Sequence, residues 1–402
     1  MRPAVLFILT TVMIDAMGIG LIIPVMPDLI QEVRAGDLAQ AALWGGILST
    51  VFAVMQFLFG PVLGGLSDRF GRRPVLLVSL AIMALDYLVM AVAGSIWLLL
   101  LGRVVGGITA ATQSTANAYM ADISGPEDRA ANFGLVGAAF GIGFVLGPLI
   151  GGLLAGYGTR APFYAAALLA LLNFGFGLFV LKETVTDSIR RPFQWTRANP
   201  LGSLRQLRKL PGIGAMLLVF FIYQVAFIVY PAVWSYFGKE RFGWDPQTIG
   251  LSLALFGIML AIVQGGLIRP IMRLLGERGT VLYGHVFDIL AFLALAFVTN
   301  GTLALILTPL AALAAVITPA LQGIMSKAVG ADAQGELQGA LTSLSALAMI
   351  FSPMMMTATF ATFTTEGAAF YLPGAPFLLS AALIVVGLVV FILRGDAAQR
   401  TG

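Results

Sequence analysis

Residues 64–77 read GGLSDRFGRRPVLL. Here Asp68, Arg69, Arg72 and Arg73 interrupt two long runs that are otherwise almost free of charge. A helix needs about 20 mostly apolar residues to cross about 30 Å of hydrocarbon, so a short charged turn between two such runs is a link between membrane spans. The glycines let helix ends approach. Asp68 can accept backbone N–H groups at a neighbouring helix N-terminus, and the arginines hold the turn at one membrane surface. On these residues alone, any short positively charged turn fits as well as a specialised one.

Working outward, the 402 residues are 59% hydrophobic and only 10% charged, with a mean hydropathy of +0.95. About 25% charge is usual for a soluble domain, which makes this an integral membrane chain. The absence of cysteine and the single histidine, His285, leave little for metal-cluster or thiol chemistry. The net charge of +4 is too small and dispersed to suggest nucleic acid. Apolar stretches fall at about 4–26, 41–66, 74–94, 96–121, 131–156, 162–182, 211–238, 246–271, 278–299, 302–327, 335–361 and 371–393, predicting twelve transmembrane helices. The first flows directly out of Met1–Thr10 with no small-residue cleavage site, which predicts a retained helix and not a removed signal peptide.

The longest polar stretch, Lys182–Lys209, separates the sixth and seventh runs. It predicts an N-terminal six-helix bundle over residues 1–182, a cytoplasmic linker over 183–210 and a C-terminal six-helix bundle over 211–402. With the N-terminus inside, eighteen of the 23 basic residues fall on cytoplasmic segments, seven of them at the linker. Arg34, Arg160, Lys239 and Arg241 fall outside, and Arg103 lies within the fourth span. That asymmetry predicts both termini in the cytoplasm. At an offset of 205, Gly45 matches Gly250, Gly71 matches Gly276, Gly134 matches Gly339 and Pro148 matches Pro353, which points to duplicated halves.

Residues 64–77 closely resemble the signature loop of the major facilitator superfamily. The resemblance implies an all-α membrane fold of 12 transmembrane helices in two pseudosymmetric six-helix bundles around a central cavity. It also implies a cytoplasmic latch, with Arg72 paired to Asp122 and Asp68 near the start of the eleventh span, around Gly335. DAMGIGLIIPVMP (15–27), GRRPVLLVSLAIMALDY (71–87), GRVVGGITAAT (102–112), AYMADI (118–123), ERFGWDPQTIG (240–250) and ITPALQGIMS (317–326) narrow the similarity. Together they resemble the tetracycline/proton antiporters of bacterial inner membranes, from about residue 5 to about residue 350.

Three acids sit where charge is expensive. Asp15, Asp86 and Asp288 lie ten to twelve residues into the first, third and ninth spans, roughly 15–18 Å deep at 1.5 Å per residue. Desolvation disfavours the charged form of a carboxyl, and an ionised one attracts cations. A group that holds either a proton or a cation, but poorly both, is a minimal exchanger. The alternative is permanent neutralisation by a structural partner, for which three acids have only Arg103 inside a span. In the antiporters the chain resembles, acids matching all three are required for transport. Arg103 is expected to face Asp15 or first-span carbonyls beside Gly18 and Gly20, either as a brace or as a charge that responds to Asp15. His285, three residues before Asp288 on one helix face, is either a proton relay or a hydrogen-bonded packing residue.

In the fifth span, GAAFGIGFVLGPLIGG (137–152) carries small residues at four-residue spacing that suit close helix crossing, and Pro148 can bend the helix. The motif built on Gly141, Gly147, Pro148 and Gly151 resembles the one that marks antiporters, which implies exchange over symport. Gln56, Gln113, Ser114, Asn117, Tyr223, Gln224, Tyr230, Trp234, Gln264 and Gln322 could line a drug cavity with His285, or serve as interhelical glue and interfacial belt. Leu260 stands where many relatives carry a histidine.

The resemblance thus implies proton-coupled export of tetracycline-like drugs by a secondary transporter with no catalytic residues. Protons would be the coupling ion, with no cofactor or metal site. Mg²⁺ would enter only within the drug chelate. The partners expected are a small-molecule drug and the lipid bilayer, with no nucleic acid, and the chain is expected to be a monomer. The rivals are a broader multidrug exporter, a proton-coupled nutrient symporter and a membrane receptor or assembly factor.

Overall fold

The computed structural model describes residues 3–125, 127–187, 190–194, 212–330 and 333–394. Most of the linker, with Arg197, Arg205, Arg208 and Lys209, lies outside the described residues, as do Arg2, Arg400 and both chain ends. Among the described residues there is no β-strand, and eleven helical segments are long and apolar enough to cross a membrane. One of them, Pro246–Phe297, has 52 residues. It would extend roughly 78 Å if straight, more than twice a bilayer core. It breaks at Gly276, whose φ of 67° and ψ of 172° no helix contains, and so supplies the eighth and ninth spans. The described residues thus hold twelve spans, as the apolar pattern predicts.

Lipid offers no hydrogen-bond partner to a bare backbone group, so the spans are helices wherever the chain allows. The interruptions follow a pattern that hydropathy does not show. The first span, Pro3–Ile22, passes through a tight turn at Ile23–Val25 before Met26–Arg34, with Pro24 and Pro27 each lacking an N–H. The fourth is split into Ile96–Ile108 and Thr112–Ile123, the seventh into Gly214–Phe227 and Val229–Phe242, and the tenth into Gly301–Ala311 and Ile317–Ala328. Apart from a π-helical stretch at Val263–Leu267 in the eighth span, the broken spans thus recur every third helix.

The chain forms two compact units. The first comprises Met1–Gly36, Val51–Pro200 and Asp245–Ala254; the second comprises Asp37–Thr50, Leu201–Trp244 and Leu255–Gly402. The start of the second span therefore packs in the second unit, and the start of the eighth packs in the first. Within the first unit, a methyl on Gly250 would stand 2.2 Å from the Pro148 carbonyl, and one on Gly152 would stand 2.6 Å from the Pro246 carbonyl. Within the second, a methyl on Gly46 would stand 2.0 Å from Thr357 Oγ1 and 3.2 Å from the Pro353 carbonyl. Pro148 and Pro353 are equivalents at the 205-residue offset, and each has a glycine against its carbonyl, although the position equivalent to Gly250, Gly45, meets Tyr236 instead.

The fifth span, Arg129–Ala155, lies backbone to backbone against the first. Methyls on Gly143, Gly147 and Gly151 would meet the carbonyls of Met13, Met17 and Leu21 at 2.1, 2.6 and 2.1 Å. Gly137 and Gly141 have open space instead, so the motif divides into a packed stripe and a free one. Overpacking such a seam costs about 1–3 kcal/mol. Gly147→Leu is therefore expected to lower the thermal midpoint of the detergent-solubilised protein, while Gly137→Ala leaves it unchanged; size-exclusion recovery after heating measures both.

Candidate functional site

In the first unit, the third span, Arg72–Val92, carries Asp86 near its middle, and the fourth span makes a seat for it. Methyls on Gly102 and Gly106 would stand 2.7 Å from Asp86 Oδ1 and 2.8 Å from Oδ2, so only glycine admits the carboxylate there. Arg103, next to Gly102, donates through Nη2 to Asp86 Oδ2, with the Met90 sulfur beside it and the Phe52 ring 5.2 Å from the guanidinium carbon. The partner of Arg103 is thus Asp86 and not Asp15. The physical reason is the glycine notch, which brings the third-span carboxylate against the backbone that bears the arginine. Asp86 is 6% exposed and its Oδ1 is buried without a hydrogen-bond partner.

Asp15 is 8% exposed, near the middle of the first span. Among the described residues it has neither an ion pair nor a hydrogen bond. Its neighbour on the third span is Tyr87, which also feels the charges of Asp86 and Arg103. One turn away, Thr11 donates to Asn173 Oδ1 at 3.1 Å, a buried bridge between the first and sixth spans. Isolated polar residues in apolar runs were its only sequence signal.

The arginine loop is a network. Arg72 donates through Nε to Asp122 Oδ2 at 3.2 Å, and its Nη1 lies 2.5 Å from Asp68 Oδ1 and 3.1 Å from Ser67 Oγ. Thr184 Oγ1 donates to the same Asp122 oxygen at 3.0 Å. The residue that organises this corner is Glu183. Its Oε1 accepts from the backbone N–H of Arg72 at 2.9 Å, its Oε2 accepts from that of Arg73 at 3.2 Å, and Oε1 also accepts from the N–H groups of Thr184 and Val185. An acid at a helix N-terminus is favourable for the unsatisfied donors and the helix dipole. Gly71, at a φ of 112°, completes the fit, because a methyl there would overlap the Glu183 carboxylate. Sequence reasoning placed Glu183 in the linker and Asp68 in the capping role; the sequence carries no local signal linking residue 183 to residue 72.

In the second unit, Asp288 is 2% exposed with Oδ2 buried and unpartnered, and it has no countercharge among the described residues. Tyr223 and Tyr230 of the seventh span feel its charge. The Tyr230 hydroxyl is likewise buried and unpartnered. Its ring is wedged among Phe227, Trp234, Phe256, Phe292 and Phe377 at 5.0–6.2 Å between centroids. Trp234, 1% exposed, belongs to this packed aromatic core. His285 is fully buried, with Nδ1 2.8 Å from the Val281 carbonyl of its own helix, the Phe391 ring stacked on it and Nε2 unpartnered.

Gln224 donates to Ser345 at 3.1 Å as interhelical glue, and Gln113 Oε1 is buried and unpartnered. Gln56 is exposed, whereas Asn117 and Gln322 are half-buried. A cavity of about 410 Å³ in this unit lies at helix ends and contains none of these residues; it is lined by Asp37, Glu240, Thr364, Glu366 and Tyr371 among others. Burial and a 2.6 Å hydrogen bond to Glu240 push the Tyr371 phenol up to about 12, so it stays a donor at physiological pH.

Acids buried within the first, third and ninth spans, a glycine-packed fifth span and an arginine-acid corner together define a membrane transporter. The chain belongs to the Major Facilitator Superfamily, whose sequence profile matches residues 8–353. It is 43% identical over 383 residues to the tetracycline resistance protein, class C, of Escherichia coli, covering 93% of this chain and 96% of that protein. It is also 43% identical over 368 residues to the class G protein of Vibrio anguillarum, covering 92% of each. Among solved structures, the human organic anion transporter MFSD10 (TETRAN) superposes with a TM-score of 0.70 at 25% identity, covering 97% of this chain and 99% of that one. The protein is a multi-pass secondary transporter of small molecules, not an enzyme.

Proposed function

We propose that the protein is a proton-coupled antiporter that exports tetracycline-like antibiotics by alternating access. The cargo is the magnesium chelate cation, carried from the bacterial cytoplasm across the inner membrane. The protein works as a monomer with both termini in the cytoplasm, and needs no cofactor besides the coupling proton. The observation that carries this reading is the contrast among the three buried acids. Asp86 has a fixed countercharge, while Asp15 and Asp288 have none among the described residues. Within a membrane interior, a carboxylate without a countercharge is stable only when it holds a proton or a cation. The tetracycline resistance proteins of classes C, G and E, at 40–43% identity, support the choice of cargo. Arg72, Asp68 and Asp122 are the latch in this scheme, and the Gly141–Gly151 segment suppresses leak.

A broader drug range is the second reading. It draws on 28% identity over 356 residues to multidrug resistance protein 2 of Bacillus subtilis, and on Leu260 in place of a histidine. Radiolabelled tetracycline uptake into inverted vesicles separates them. Uptake is expected to require Mg²⁺, to rise with an inwardly acid interior and to collapse when the pH gradient is dissipated. Equal gradient-driven uptake of chemically unrelated drugs would favour the broader exporter, and uptake indifferent to the gradient would remove the antiport assignment.

A further inference from the structure

Asp86 and Tyr87 are consecutive, so on the third span their side chains leave the helix about 100° apart. Asp86 faces the fourth span, while Tyr87 faces the first. Tyr87 is 4% exposed and its ring rests on Gly18, where a methyl would stand 2.8 Å from the hydroxyl and 3.1 Å from Cε2. Gly18 is three residues beyond Asp15, on the same face of the first span. Neither the Tyr87 hydroxyl nor the Asp15 carboxylate has a hydrogen-bond partner among the described residues. The charged groups that act on Tyr87 are Asp15 from the first span, Asp86 on its own helix and Arg103 from the fourth. A phenol and a carboxylate in largely buried residues, neither with a hydrogen-bond partner among the described residues and one helical turn apart along the first span, are natural partners once either side chain moves.

We propose that Tyr87 is the positioning residue that links Asp15 to the Asp86–Arg103 pair. Its hydroxyl donates to Asp15 when that carboxylate is charged, which pins the third span to the first. Protonation of Asp15 weakens the bond and frees the third span, with Asp86 on it, to shift against the glycines of the fourth. The inference rests on Asp15 being a proton-coupling acid, as proposed above.

The test is tetracycline–Mg²⁺ binding to the full-length protein in proteoliposomes from pH 5 to pH 9, read by tryptophan quenching, together with gradient-driven uptake. Tyr87→Phe keeps the ring and removes only the hydroxyl. It is expected to move the pH midpoint of binding upward by about one unit, since a hydrogen bond to a charged group is worth about that much, and to slow uptake about tenfold. Gly18→Ala, which displaces the hydroxyl without removing it, is expected to shift the midpoint in the same direction. In an Asp15→Asn background Tyr87→Phe should have no further effect on binding. A Tyr87→Phe protein with the wild-type midpoint and rate, or one whose shift persists in Asp15→Asn, overturns the inference while leaving the antiport reading intact. An Asp15→Asn profile identical to wild type overturns both.

Discussion

Vesicles carrying Asp15→Asn or Asp288→Asn are expected to accumulate no tetracycline against its gradient, although the protein is made and folded in normal amounts. Asparagine is close in shape to aspartate but can neither release a proton nor hold a net negative charge, so an exchange cycle through that position cannot close. Neither acid has a countercharge among the described residues to strand, and both are buried, so neutralising them removes a cost of burial without opening a new one. The expected signature is a loss of uptake to the level of empty vesicles with an unchanged thermal midpoint. Gradient-driven uptake at the wild-type rate in either variant would dismiss that residue from the coupling.

Asp86 is expected to behave differently, because it is half of an ion pair. Asp86→Asn leaves the Arg103 guanidinium, 12% exposed, without its anion, and Arg103→Leu leaves the Asp86 carboxylate alone in its glycine seat. Breaking one side of a buried pair typically costs about 3–5 kcal/mol, while replacing both sides together is often neutral. Each single variant should therefore show a markedly lowered melting temperature and reduced yield. The double variant Asp86→Asn, Arg103→Leu should recover most of the stability and none of the transport. Tryptophan-fluorescence melting alongside uptake makes the comparison. A double variant that is as unstable as the singles would mean that the pair does not hold the third and fourth spans together. Full transport in the double variant would mean that the pair is a brace and no part of the coupling.

These two expectations separate acids that look identical in the sequence. Depth in the bilayer is legible from a count along an apolar run, and Asp15, Asp86 and Asp288 stand at comparable depths. Their environments differ because of helix rotation. Gly102 and Gly106 admit Asp86 to the fourth span, whereas nothing comparable is seen to bring a cation to Asp15. The glycine spacing of the fifth span predicted close crossing, and the contacts with Met13, Met17 and Leu21 supply it. Which glycines would be spent on that seam was not legible, since stripes at four-residue spacing occur on more than one face of the same helix.

The amino-acid sequence alone determined that this is an integral membrane chain, the number of spans and the depth of the three acids. All of these follow from where apolar runs start and stop, because exclusion of charge from hydrocarbon acts residue by residue along the chain. The tertiary structure decided that Arg103 belongs to Asp86, that Glu183 caps the third span across more than a hundred residues, and that every third span is broken. Those outcomes depend on how closely two backbones can approach and at what rotation, a property of pairs of helices that no single stretch of sequence contains.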